Sequence, residues 1–101
     1  AAFVVPALQG GVNDNAGVMD PRAADRLSVA LQQIFSKGGP QIAVLTVDTI
    51  GDLPIEDAAI RVARDWKLGT ESKDNGILLL VAKNERKVRI EVGQGVEGDI
   101  T

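Results

Sequence analysis

Two apolar runs constrain this chain more than any other feature. Ile42-Ala43-Val44-Leu45-Thr46-Val47 and Ile77-Leu78-Leu79-Leu80-Val81-Ala82 are strand length, and Thr46 is the one polar residue in either. A strand apolar at consecutive positions must be covered on both faces, the habit of central strands in parallel sheets. Between them Pro54 opens a segment whose apolar positions Ile55, Ala59, Val62, Ala63 and Trp66 keep helical spacing. Glu56 and Asp57 sit in its first turn, where the helix dipole favours acids, and Gly69 is its stop. Strand, helix, strand is a βαβ unit with parallel strands and a right-handed crossover.

The rest of the chain is read around this unit. Asp20-Pro21 supplies an N-cap and a first-turn proline, and Leu27, Ala30, Leu31, Ile34 and Phe35 follow at helical spacing up to Gly38-Gly39-Pro40. Lys87-Val88-Arg89-Ile90-Glu91-Val92 alternates strictly, so it reads as a half-solvated strand turned back antiparallel through Lys83 to Arg86. The expected elements are helices at 21 to 37 and 54 to 68 and strands at 41 to 48, 77 to 83 and 87 to 92. Asp48 and Ala82 should lie at one sheet end. The first nineteen residues are rich in Gly, Asn and Pro and read as an ordered arm laid over the domain.

Composition then removes whole classes of chemistry. At 101 residues the chain is one domain, because two independent cores do not fit in that length. It has no Cys and no His, so thiolate or imidazole zinc sites and Ser-His or Cys nucleophile pairs are excluded. Ser28, Ser36 and Ser72 therefore have no base. A net charge of −3, eleven scattered Lys and Arg, and 3% aromatic content argue against a nucleic-acid surface. The longest apolar run, Ile77 to Ala82, is far short of a membrane span.

The candidate site comes from strand polarity. In an antiparallel hairpin the residues before the first strand and after the second lie at the same sheet end. Asp74 and Asn75 should therefore meet Glu97, beside the glycine backbone of Gly93 to Gly98. Carboxylates and amide carbonyls are the oxygen donors that hard cations prefer, so calcium is the first choice and magnesium the second. Asp14 and Asn15 would complete the set if the arm reaches that end. The plain alternative is that Asp-Asn-Gly is a turn and Glu97 a surface acid. No catalytic residue stands out. Gly93-x-Gly95-x-x-Gly98 fits the dinucleotide fingerprint in letters only, since the strand before it alternates and no helix or distal acid follows. Asp48 stands at the carboxyl end of a parallel strand but reads as a turn acid, and Trp66 reads as core.

Val12-Asn13-Asp14-x-Ala16-Gly17, Ile55-Glu56-Asp57-x-Ala59 to Trp66-x-Leu68-Gly69, Lys73-Asp74-Asn75-Gly76-Ile77-Leu78-Leu79 and Glu91-Val92-Gly93-x-Gly95-x-Glu97-Gly98 together resemble the TPM domain family, in order and spacing over nearly the whole chain. That family includes a thylakoid-lumen protein of photosystem II repair with acid-phosphatase activity and bacterial extracytoplasmic proteins of the YgcG type. The resemblance implies a three-layer α/β/α sandwich with a mixed sheet, an exported and often membrane-anchored protein, and calcium binding in some members. It suggests an extracytoplasmic calcium-binding module that supports assembly or maintenance of membrane protein complexes, monomeric in itself. The alternative is a metal-dependent acid phosphatase of low efficiency, disfavoured by the single cation Lys73 beside Asp74 and the lack of an arginine clamp. Family members continue past Gly-x-Gly-x-Glu into a further helix, so residues 1 to 101 read as one domain truncated at its C-terminal end. Val88, Ile90 and Val92 are then expected to lack full cover.

Overall fold

The computed structural model describes residues 3–69 and 75–93. In chain order the elements are β1 (Val12–Asp14), α1 (Pro21–Ser36), β2 (Gln41–Val47), α2 (Ile55–Trp66), β3 (Gly76–Ala82) and β4 (Lys87–Val92). They form one four-stranded sheet in the order β1-β2-β3-β4. The first three strands run parallel, and β4 pairs antiparallel with β3. Val47 stands opposite Ala82, so Asp48 and Ala82 do share a sheet end.

Each helix begins and ends for local reasons. The Asp20 side chain accepts from Ala23 N–H at 3.3 Å, and Pro21 follows at the first helical position of α1. α2 starts after Pro54 and ends at Lys67 in the left-handed conformation, two residues before the expected glycine. Gly69 instead takes φ +83° in the link towards β3.

The core lies between α2 and the sheet. Ala43, Leu45, Val47, Leu78, Leu80 and Ala82 point to one face and pack with Ile55, Ala58, Ala59 and Val62 of α2. Phe3, Val5 and Trp66 extend that layer. α1 packs over β1 and β2, where Leu31 is buried and Val44 turns to the face opposite Leu45. The two helices thus sandwich the sheet, giving the three-layer α/β/α arrangement.

Two expectations need correction. The arm is not merely laid over the domain, because Val12–Asp14 adds a parallel edge strand to β2 in register with Val44 to Thr46. Three residues are too few to show a period, which is why the pattern hid it. The apolar stripe of α1 is also less buried than its spacing implies: Leu31 is buried, while Leu27, Ile34 and Phe35 remain exposed. α1 sits over the β1 edge of the sheet and its stripe overhangs. Among the described residues no helix covers the other half of that face. Ile77, Leu79 and Val81 are half-buried there, and Val88 and Ile90 are 62% and 55% exposed.

Candidate functional site

Strand polarity divides the candidate residues between two ends of the sheet. At the amino end of β2 and β3, Gln41 N–H donates to Asn75 O at 3.0 Å, and Gly93 N–H donates to Gly76 O at 2.8 Å. Gly69 N–H donates to Gln41 Oε1 at 2.7 Å, which ties the end of α2 to the same place. The segments that enter β3 and leave β4 therefore start side by side. Asn75 is buried there. Asp74 and Glu97 lie outside the described residues, so their side chains carry no structural statement.

Asp14 and Asn15 are at the other end. Asp14 pairs with Thr46, five residues along β2 from Gln41. At roughly 3.3 Å per residue the separation is about 16 Å, whereas calcium–oxygen distances are about 2.3–2.6 Å. Asp14 and Asn75 cannot share one ion. The arm joins the sheet parallel to β2, and a parallel strand delivers its last residues to the carboxyl end.

What Asp14 does there is visible. Its Oδ1 accepts from Thr46 Oγ1 at 2.6 Å and from Val18 N–H at 3.0 Å, and its Oδ2 accepts from Met19 N–H at 2.8 Å. The Thr46 hydroxyl, aided by the Met19 and Val18 amides and opposed by desolvation, holds this carboxyl below the ordinary aspartate range. Asn13 is just as fully used. It accepts from Gln9 N–H at 2.7 Å and donates to Gly10 O and Val44 O, both at 3.0 Å. The Val-Asn-Asp motif is thus a double staple of the arm to the sheet.

Glu85, in the turn between β3 and β4, plays the same part across the carboxyl end. Its Oε2 accepts from Thr49 Oγ1 at 2.6 Å and Ile50 N–H at 3.2 Å. The Thr49 hydroxyl is the main cause that keeps its carboxyl below the ordinary glutamate range, with desolvation opposing and Lys87 adding a favourable charge. Asp48 is exposed and offers its carbonyl to Asn84 N–H at 2.8 Å. With Asn15, Thr49, Gly51 and the arm it lines a cavity of about 250 Å³. Ser28 Oγ accepts from Val12 N–H at 2.9 Å, a structural bond, and Ser72 lies outside the described residues. Trp66 is half-buried, and its Nε1 donates to Pro6 O at 2.9 Å, so it fastens the arm as well as packing.

The larger cleft, about 490 Å³, opens at the amino end between α2 and the β3–β4 pair. Arg64, Lys67, Gly76, Glu91 and Gly93 line it with Leu68 and Leu78. Arg64 and Lys67 were not singled out by sequence reasoning. The signal was available, since they close α2 just before the Gly69 stop and α2 must end where β3 begins. Among the described residues no three Asp or Glu side chains gather in a metal-sized group. No described helix is long and apolar enough to cross a membrane.

Two staples at the carboxyl end and a cleft at the amino end, on a mixed four-stranded sheet between two helices, define an α/β/α sandwich domain. Residues 12–101 match the family described as the TPM domain. The chain belongs to that family. Among solved structures it is similar to the N-terminal domain of a protein from P. gingivalis, determined in solution by NMR, at 38% identity and TM-score 0.77. The match covers 86% of this chain and 55% of that one, so the chain spans little more than half of that structure. A comparison with curated proteins finds no match.

Proposed function

We propose that this TPM domain is an extracytoplasmic calcium-binding module that supports the assembly or maintenance of membrane protein complexes. Its cation is held at the amino end of the sheet by Asp74, Asn75 and Glu97. The observation that carries the reading is the 2.8 Å bond from Gly93 N–H to Gly76 O, which starts the two acid-bearing segments side by side. The donor chemistry fits: two carboxylates and an amide oxygen are hard ligands for calcium, with magnesium the weaker choice for its stricter octahedral demand. Asp14 and Asn15 take no part. A calcium titration followed by amide NMR tests this. Shifts in 70–76 and 93–98 at millimolar calcium or below, lost in Asp74→Asn with the fold intact, support the site; silence in both segments overturns it.

A second reading, a metal-dependent acid phosphatase of low efficiency, is favoured by one observation. Arg64 and Lys67 line the amino-end cleft with Gly76 and Gly93, supplying the positive charge that a phosphoryl group needs. A bound cation would polarise the phosphoryl oxygen there. Hydrolysis of an aryl phosphate at acid pH that requires added metal and falls at least tenfold in Arg64→Ala supports it. Equal rates for wild type and variant reject it.

A further inference from the structure

The outer edge of β4 carries information that the proposed site does not use. Among the described residues no strand pairs with it. Gly93 N–H bonds Gly76 O, so positions 93, 91, 89 and 87 turn their backbone groups towards β3. The alternation then aims the N–H and C=O groups of Val88, Ile90 and Val92 outward. These three residues also form the apolar face of the strand, opposite Val81, Leu79 and Ile77, with Val88 and Ile90 exposed and Val92 half-buried. Arg89 and Glu91 occupy the other face, opposite Leu80 and Leu78, and lie 3.7 Å apart.

We propose that β4 is a self-association edge, at which two copies of this chain pair their β4 strands antiparallel about a twofold axis through Ile90. The register follows from the strand itself. With the axis at Ile90, Val88 meets the partner's Val92, Ile90 meets its own copy, and all the outward backbone groups pair in about six hydrogen bonds. Arg89 then stands directly opposite the partner's Glu91, twice over, on the other face. Moving the axis to residue 89 sets arginine against arginine between two lysine–glutamate pairs of residues 87 and 91, and moving it to 91 sets glutamate against glutamate; like charges directly opposite are destabilising. Each shift also gives up an outward backbone pair. Hydrogen bonding, apolar matching and charge complementarity thus select one arrangement, a continuous sheet of twice the four strands seen here. A second copy rather than an unrelated peptide is the occupant because the strand is complementary to itself. The proposal departs from the sequence-based expectation of a monomer, and the oligomeric state decides between them.

Sedimentation equilibrium from micromolar to millimolar concentration, with amide shifts at 88, 90 and 92, tests the proposal on the chain as it stands. A concentration-dependent dimer is expected, and a monomer throughout overturns it. Arg89→Glu and Glu91→Arg alone should each raise the dimer Kd by roughly tenfold, because each creates two like-charge pairs across the axis. The double exchange should restore it. Ile90→Pro should abolish dimerisation, since it removes an outward donor and no bond to β3; circular dichroism of the dilute chain verifies that the fold persists. A dimer indifferent to both charge reversals, or not restored by the exchange, rejects this register and with it the proposal.

Discussion

Thr46 Oγ1 donates to Asp14 Oδ1 across 2.6 Å, joining the one polar residue of the apolar run Ile42 to Val47 to the last residue of an edge strand. The same hydroxyl accepts from Ala16 N–H at 3.0 Å, so Thr46 is spent in both directions while only 1% exposed. Thr46→Val keeps the shape but leaves the Asp14 carboxylate short of a donor. The expected loss is about 1–3 kcal/mol, because hydrogen bonds to charged groups are the stronger class. Thermal unfolding should show a melting temperature lower by roughly 4–8 °C per kcal/mol. An unchanged melting temperature would mean that the arm is held without this bond.

Acid should loosen the same end of the sheet. Asp14 and Glu85 both titrate below their ordinary ranges in the folded chain. A carboxyl whose folded pKa is depressed adds stability above its unfolded pKa and loses it as pH falls through the folded value. Stability should therefore be flat near neutrality and decline below about pH 4, where unfolded Asp and Glu take up protons first. Denaturant melts from pH 7 to 2 measure it. The slope should be shallower in Asp14→Asn and Glu85→Gln, and shallowest in the double variant.

Asp14 also separates the structural acid from the ligand acids. Asp14→Asn should cost about 1–2 kcal/mol through its three hydrogen bonds. Calcium affinity should stay the same within twofold, since Asp14 lies about 20 Å along the sheet from Asn75. Calorimetry on this variant beside Asp74→Asn checks both halves of the claim. A large drop in affinity for Asp14→Asn would contradict the strand register itself.

The arm should come loose on its own. Trp66→Phe retains most of the apolar surface but deletes the donor to Pro6 O. Hydrogen exchange and proteolysis at residues 3–9 should quicken markedly, with a global loss of only about 0.5–1.5 kcal/mol. Equal protection of residues 3–9 in both proteins would show that Phe3 and Val5 anchor the arm by packing alone.

These cases show where the fold was legible. Both central strands, both helices and the hairpin were readable because each leaves a local pattern: Ile42 to Val47 is a continuous apolar run covered on both faces, and Lys87 to Val92 alternates strictly over six residues. β1 was not, because its three residues are placed by the side chains of Asn13 and Asp14, and side-chain bonds across 31 or 32 residues leave no local pattern. The same holds for the site. Hairpin polarity puts the start of β3 beside the end of β4, as the Gly93–Gly76 bond shows, but placing Asp14 needed the direction of a strand that no period revealed. Arg64 and Lys67 entered the cleft only once the end of α2 was fixed in space.

Gly69 joins these threads at the amino end. It holds φ +83°, and a Cβ there would lie 2.5 Å from Gly76 N and 2.9 Å from Asn75 N. Its neighbours are backbone atoms at the start of β3, which cannot rotate aside as a side-chain tip would. Gly69→Ala carries a left-handed backbone cost of about 1–3 kcal/mol before any clash is counted. Relief of the clash must push Gly69 and Asn75 apart, weakening the 2.7 Å bond from Gly69 N–H to Gln41 Oε1. The expected result is a lower melting temperature together with weaker calcium binding, because Asn75 is both a neighbour of that Cβ and a proposed ligand. Gly17→Ala is the control: its φ of +66° carries a similar backbone strain, but nothing lies within 4 Å of the added carbon, and the residue follows Asp14 at the opposite end of the sheet. It should lower stability and leave calcium affinity alone. If both variants weaken calcium equally, the effect is general loosening, and the amino-end site loses its support.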